Sequence, residues 1–327
     1  MAEPLASIRA LHFGASLLLT GGWAFMFIIA RPVFSHGGED VETAHEVFNR
    51  WWLGLMGWSL LACFASGLLW LGVEAIAMSG LAWSEALTGD IIGTVLTGTQ
   101  FGQVWELRMV LIVLLAGYLA LRWRSVGVRR LSVLDLGAGL LTGGLLGSLA
   151  WVGHAVGAEG GERWLHLAMD AVHLLAAAAW LGALVPLGFI LAQARRSPAP
   201  VWIDLARHII PRFSILGLVS VGSLIVTGLA NAYSTVGDSA HLIATSYGRL
   251  LLLKIALFGL MLLIAADNRL RLTPQLLAAA GQDKAVFQPT AVGRLWRNVM
   301  VEIGLGAAIL FIVGALGIMH PAVHILQ

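Results

Sequence analysis

AWVGHAVGAEGGERWLHLAMDAVHLLAAAAWLGALVPLGFIL, residues 150–191, decides the fold. A Gly-rich polar turn runs into a stretch that carries no charge from Leu174 to Leu191. Such a stretch is long enough to cross most of a hydrocarbon core of about 30 Å. At its entrance stand His166, Asp170 and His173, spaced i, i+4, i+7. At about 100° per residue they fall within roughly 60° of one helix face. His154 lies just before them, in the turn. A carboxylate and imidazoles on an apolar helix are costly in lipid, so they face protein or water. Imidazole is a good ligand for copper and zinc and tolerates a carboxylate beside it. This face is therefore read as part of a metal path.

The rest of the chain has the same character. Of 327 residues, 58% are apolar and only 12% charged. A soluble domain carries about 25% charge, so this is a polytopic membrane protein in contact with the lipid bilayer. The 39 glycines suit close helix packing in a bilayer. A net charge of +2 gives no footing for a nucleic-acid partner. The single cysteine, Cys63, excludes an intrachain disulfide and any CxxC metal motif; it is read as a small buried apolar residue. A soft-metal site must then use His, Met or carboxylate ligands. There is no GxxxxGK[ST] loop, which argues against ATP-driven pumping by this chain.

The expected fold class is all-α, a membrane bundle of about eight helices. The spans are placed near 9–30, 51–74, 104–123, 132–152, 165–191, 213–233, 247–267 and 298–319. The first is read as an uncleaved helix, since residues 1–9 lack the strongly basic start of a signal peptide. Segment 81–100 is weakly amphipathic and is expected at the interface; segment 275–297 is expected to be an exposed loop with some surface helix. Loops 3–4, 5–6 and 7–8 hold most of the arginines, from Arg122 to Arg130, Arg195 to Arg212 and Arg269 to Arg297. The positive-inside rule puts them in the cytoplasm and both termini outside.

The chain also repeats itself. Thr99 precedes Arg108, and Thr245 precedes Lys254, by the same interval. Asp135 and Glu302 each open a Gly-rich run that ends at a histidine, His154 and His320. Asn49-Arg50-Trp51 resembles Pro211-Arg212-Phe213, and each opens a span ending in a small-Gly pair, Ser66-Gly67 or Thr227-Gly228. Two four-helix halves follow, 1–150 and 151–327. Four spans is an even number, so the halves are parallel repeats about an axis along the membrane normal.

This topology puts His12, His154, His166, His173, His241, His320 and His324 at the outer side and His36, His45 and His208 inside. His166 and His173 are about 10.5 Å apart along the helix and cannot share one ion. Asp170 can share an ion with either, or orient a histidine from behind. His320 and His12 are the candidates from the partner half. Core packing and solvation remain the competing accounts of each histidine, most strongly for His36, His45, His241 and His324. Asp135 and Glu302 are read as paired with nearby arginines in preference to a proton path. Arg108 and Lys254 are expected to snorkel outward or hold a carboxylate such as Glu106.

Several of these pieces, in order, resemble the copper resistance protein D (CopD) family. They are HLLAAAAWLGALVPL at 173–187, Arg212-Phe213-Ser214, Thr227-Gly228 with Asn231, and YGRLLLLKIALFGLMLLIAADNRLRLTP at 247–274. Glu302 to Pro321, GHA at 153–155 and TGTQFGQVWELR at 97–108 fit as well. The resemblance implies a bacterial inner-membrane protein that moves copper ion or supports copper tolerance, working with a small periplasmic copper-binding protein, CopC. A metal site of His154, His166, Asp170 and His173, joined by His320 and His12, is the expectation. Two other classes fit the same residues. One is a b-type cytochrome with haem between His12 and His173. The other is a non-transporting subunit that assists copper delivery to a partner.

Overall fold

The computed structural model describes residues 2–35, 38–124, 133–152, 160–197, 199–236, 239–278 and 288–319. Among them there is no strand. Eight helices are long and apolar enough to cross a membrane: α1 (Pro4–Phe34), α2 (Glu39–Ser79), α3 (Gln100–Arg124), α4 (Val133–Trp151), α5 (Arg163–Arg196), α6 (Val201–Tyr233), α7 (Ser246–Ala278) and α8 (Ala291–Leu316). Each contains the core of one expected span.

Most helices run further than their apolar windows, and they do so toward the arginine-rich face. At 1.5 Å per residue, the 41 residues of α2 extend about 60 Å, twice a hydrocarbon core. Its first turn carries the acids Glu39, Asp40 and Glu42, where the helix dipole favours them. The expectation of an exposed loop at 275–297 is corrected over its described residues. These continue α7 to Ala278 and begin the last helix at Gln288. Leu276, Val292 and Leu295 are buried, so the described ends of this stretch belong to the core. Hydropathy marks only the part of a helix that meets lipid, and an amphipathic extension beyond it reads as polar. Between α2 and α3 the short helix Trp83–Ala86 packs on α2 and Gly89–Gly98 on both, with Val95 packed among Leu71, Ala75 and Trp105.

α1 is the centre of the bundle. It packs on α2 and α4 within its own half, and on α5 and α8 of the other. α5 answers it by packing on α6 and α8, and on α4 of the first half. α1 and α5 meet through Gly21 and Gly182. A Cβ added at Gly21 would fall on the Ala178 carbonyl oxygen, and one at Gly182 on the Leu17 carbonyl. Only glycine permits that backbone approach.

Three membrane helices contain a π-turn: Phe25–Ala30, Ala178–Gly182 and Asn268–Leu272. Each includes the residue four before a proline, namely Ile28 before Pro32, Gly182 before Pro186 and Leu270 before Pro274. A proline donates no hydrogen bond to the carbonyl at i−4, and its ring crowds that carbonyl. Widening the turn relieves the crowding, so the sequence itself sets these irregularities.

Candidate functional site

The histidine face holds two polar clusters, one per half, built to one pattern. In the second half, His173 Nδ1 on α5 lies 2.9 Å from Thr227 Oγ1 on α6. In the first, His12 Nδ1 on α1 lies 2.9 Å from Ser66 Oγ on α2. The hydroxyl follows its histidine by 54 residues in both. The imidazole packs beside Gly228 and Gly67, its Cε1 at van der Waals distance, 3.5 and 3.6 Å, from where a Cβ would stand.

The hydroxyls decide which ring nitrogen carries the proton. Thr227 Oγ1 donates to the Ser223 carbonyl at 2.6 Å, and Ser66 Oγ to the Ala62 carbonyl at 2.5 Å. With its one hydrogen engaged, each oxygen accepts from the histidine, which places the proton on Nδ1. Nε2 is then a free lone pair. His12 Nε2 is buried without a hydrogen-bond partner. Two imidazoles are thus each held in the tautomer that presents Nε2 to a ligand.

The surroundings of the two rings differ in charge. Asp170, one turn before His173, accepts from Asn231 Nδ2 at 2.6 Å. His166 lies within electrostatic reach of Asp170, and Lys254 on α7 within reach of both Asp170 and His173. The second cluster thus contains a carboxylate directly beside its histidines. In the first, His12 packs edge-on to Trp70 at 5.5 Å. The guanidinium carbons of Arg9 and Arg108 stand 5.0 and 5.6 Å from the Trp70 ring centre. The nearest acid is Glu74, which accepts from Trp70 Nε1 at 3.0 Å. The expectation that Arg108 snorkels is corrected: it is 1% exposed, and donates to Ser148 Oγ and the Ser148 carbonyl, both at 2.9 Å. Glu106 is exposed and plays no part in holding it.

The arginine-rich face carries a second pair of clusters. Asp135 on α4 is buried and accepts from Tyr118 Oη at 2.5 Å. Arg31 Nη2 and Arg122 Nε stand 3.4 and 3.7 Å from its carboxylate. This is the arginine pairing expected from the sequence. Glu302 on α8 departs from that expectation. It is 1% exposed, and Asn268 Nδ2 donates to it at 2.7 Å. Asn298 Nδ2 in turn donates to Asn268 Oδ1 at 2.8 Å. Among the described residues Glu302 has no ion pair. It lines a cavity of about 250 Å³ bounded by α5, α6, α7 and α8, with Trp180 in its wall.

Of the six expected metal ligands, His154 and His320 lie outside the described residues. His166, Asp170 and His173 share α5, while His12 belongs to the first-half cluster. No three His, Cys, Asp or Glu side chains among the described residues are grouped to hold a metal ion. Cys63 is buried with its sulfur 3.3 Å from Ser16 Oγ. His45 packs on Phe34 at 5.0 Å, as a core histidine does. The sequence reading missed Ser66 and Thr227 as histidine partners, although their recurring interval was a usable signal. It also missed Asn268, and Asn231 as the partner of Asp170, since neither bears a charge to draw notice.

Two family models match this chain. The family model described as "Copper resistance protein D" matches residues 207–316. That described as "Copper resistance protein D-like, N-terminal domain" matches residues 1–164. "Copper resistance protein D" of Pseudomonas syringae pv. tomato is 30% identical, over 76% of this chain and 77% of its own. "Inner membrane protein YebZ" of Escherichia coli (strain K12) is 29% identical, over 96% of this chain and 97% of its own. "Copper transport protein CutJ" of Bacillus subtilis (strain 168) is 31% identical over 64% of this chain, which spans 37% of that protein.

Proposed function

The chain belongs to the copper resistance protein D family, and from that premise we propose that it carries copper across the bacterial inner membrane through its second four-helix half. The observation that carries this reading is the fixed tautomer of His173. Thr227 holds the Nδ1 proton, so Nε2 faces the cluster as a ligand without waiting for a proton to leave. Asp170 supplies the negative charge that a copper ion needs beside it. His166 stands one turn before Asp170, and His154 and His320 are the further candidate ligands that the sequence offers. His12 heads the corresponding place in the first half, where Arg9 and Arg108 make a less favourable setting for a cation.

The arginine-rich face is cytoplasmic by the positive-inside rule, which makes the histidine face periplasmic and places both termini there. Copper reaches the site from a periplasmic carrier of the CopC kind by ligand exchange. Lys254 keeps the affinity moderate, since its charge opposes the ion that Asp170 attracts. An ion that must move on cannot be held too tightly. Beyond Trp180 the cavity continues the route toward the other face. The function is one of binding and passage, with no bond-changing reaction.

The test is cuprous-ion binding to the purified protein in lipid nanodiscs, measured against a colorimetric chelator. Wild-type protein is expected to compete for copper, and His173→Ala to lose that competition while retaining its helical circular dichroism. Undiminished competition by a well-folded His173→Ala variant would overturn the assignment.

A further inference from the structure

We infer that Glu302 is a proton-binding site of the second half, exchanging its proton with the arginine-rich face through the cavity it lines. The coupling of that proton to copper rests on the proposed transport; the proton site itself does not.

The comparison between halves carries the inference. Each half sets a buried carboxyl on its fourth helix, Asp135 in the first turn of α4 and Glu302 midway along α8, and faces it with a residue of its third, Arg122 at the end of α3 and Asn268 at the π-turn of α7. Thr99 leads Arg122 by the same interval as Thr245 leads Asn268, so the two positions correspond in the repeat. In the first half that residue is a cation, and Arg31 adds a second. In the second half the cation is replaced by an amide. Asn268 donates to Glu302 and is itself oriented by Asn298. The amide network stabilises the hydrogen-bonded geometry without supplying charge.

Every neighbouring element agrees. Across the cavity α5 presents aliphatic side chains and Trp180. α6 presents Ser214 as its polar group, and α7 Asn268, Arg269 and Thr273. Among the described residues Arg269 is the one cation lining this cavity, and its guanidinium is turned to Ser214, donating to its carbonyl at 2.9 Å and its Oγ at 2.7 Å. On α8 itself, Arg294 and Arg297 are exposed, and Arg294 donates to Gln275. α1 meets α8 at the opposite end, where Gly314 approaches Ala6. A carboxylate buried in a membrane without a cation is far costlier than the neutral acid. Glu302 therefore holds a proton at rest. The polar edge of the cavity, Asn268, Ser214 and exposed Arg269, leads the proton in and out. The Glu302 O–H bond breaks as the proton passes to water at that face and re-forms when it returns. As copper crosses the half in one direction, this proton moves in the other.

Infrared difference spectra of the protein in lipid, with exchange into D2O, read the proton directly. Wild-type protein is expected to show the carbonyl band of a protonated carboxylic acid that shifts in D2O. The band should vanish in Glu302→Gln, and in Asn268→Arg, which restores the cation of the first half. If no acid band disappears in Glu302→Gln, the proton site is overturned. In proteoliposomes with a trapped pH dye, copper flux should move protons in wild type and not in Glu302→Gln. Equal proton movement in both would overturn the coupling. If copper flux is absent from every variant, the transport reading fails, and the infrared band still decides the proton site.

Discussion

Replacing Thr227 by valine keeps the size and branching of the side chain and removes only the oxygen that holds His173 Nδ1, now 2.9 Å away. With no acceptor at Nδ1, the imidazole is free to move its proton to Nε2, the nitrogen that must bind the metal. Loss of such an outer partner costs about 10–100-fold in metal affinity, or about 1.4–2.8 kcal/mol. If the ring keeps its proton on Nδ1, the unpaired donor costs about 1–3 kcal/mol of stability. Thr227→Val is therefore expected to bind cuprous ion about 10–100-fold more weakly in chelator competition. Thr227→Ser, which restores the oxygen, should return close to wild type. Wild-type affinity in Thr227→Val, beside lost affinity in His173→Ala, would refute the tautomer argument while leaving His173 a ligand. Weak binding in Thr227→Ser as well would point to packing as the cause.

Ser66→Ala, the matching change in the first half, is expected to alter total copper binding far less than Thr227→Val, because Arg9 and Arg108 stand over the Trp70 ring on which His12 packs; equilibrium dialysis of both variants checks this. Lys254→Met removes the cation facing Asp170 and His173 and should tighten copper binding while slowing its release, seen in stopped-flow transfer to a chelator. Arg122→Gln leaves the buried Asp135 with less compensating charge and should cost about 3–5 kcal/mol; Arg122→Gln with Asp135→Asn should recover part of it in thermal unfolding. Gly21→Val drives a side chain into the Ala178 carbonyl and should cost at least the roughly 1–3 kcal/mol of ordinary overpacking. Its measure is the yield of monodisperse protein.

The eight spans were legible because lipid demands long apolar runs, in which charged residues are rare enough for their spacing to stand out. The pairing of Asp135 was legible for the same reason. The helix extensions at the arginine-rich face were not, since residues such as His45 and Phe48 pack on neighbours beyond the apolar window. Nor was the burial of Arg108, whose partner Ser148 comes from another helix 40 residues on. The tautomers of His12 and His173 depend on hydroxyls that look like ordinary helix residues until the helices are side by side. The difference between Arg122 and Asn268 becomes informative only once both carboxyls are seen buried.

Copper flux into proteoliposomes, followed with a trapped copper chelator, tests the central claim most directly. Wild-type protein should carry copper at a rate well above empty vesicles. His173→Ala, inserted to the same level, should fall to the empty-vesicle rate. Flux in His173→Ala equal to wild type would contradict passage through the second half.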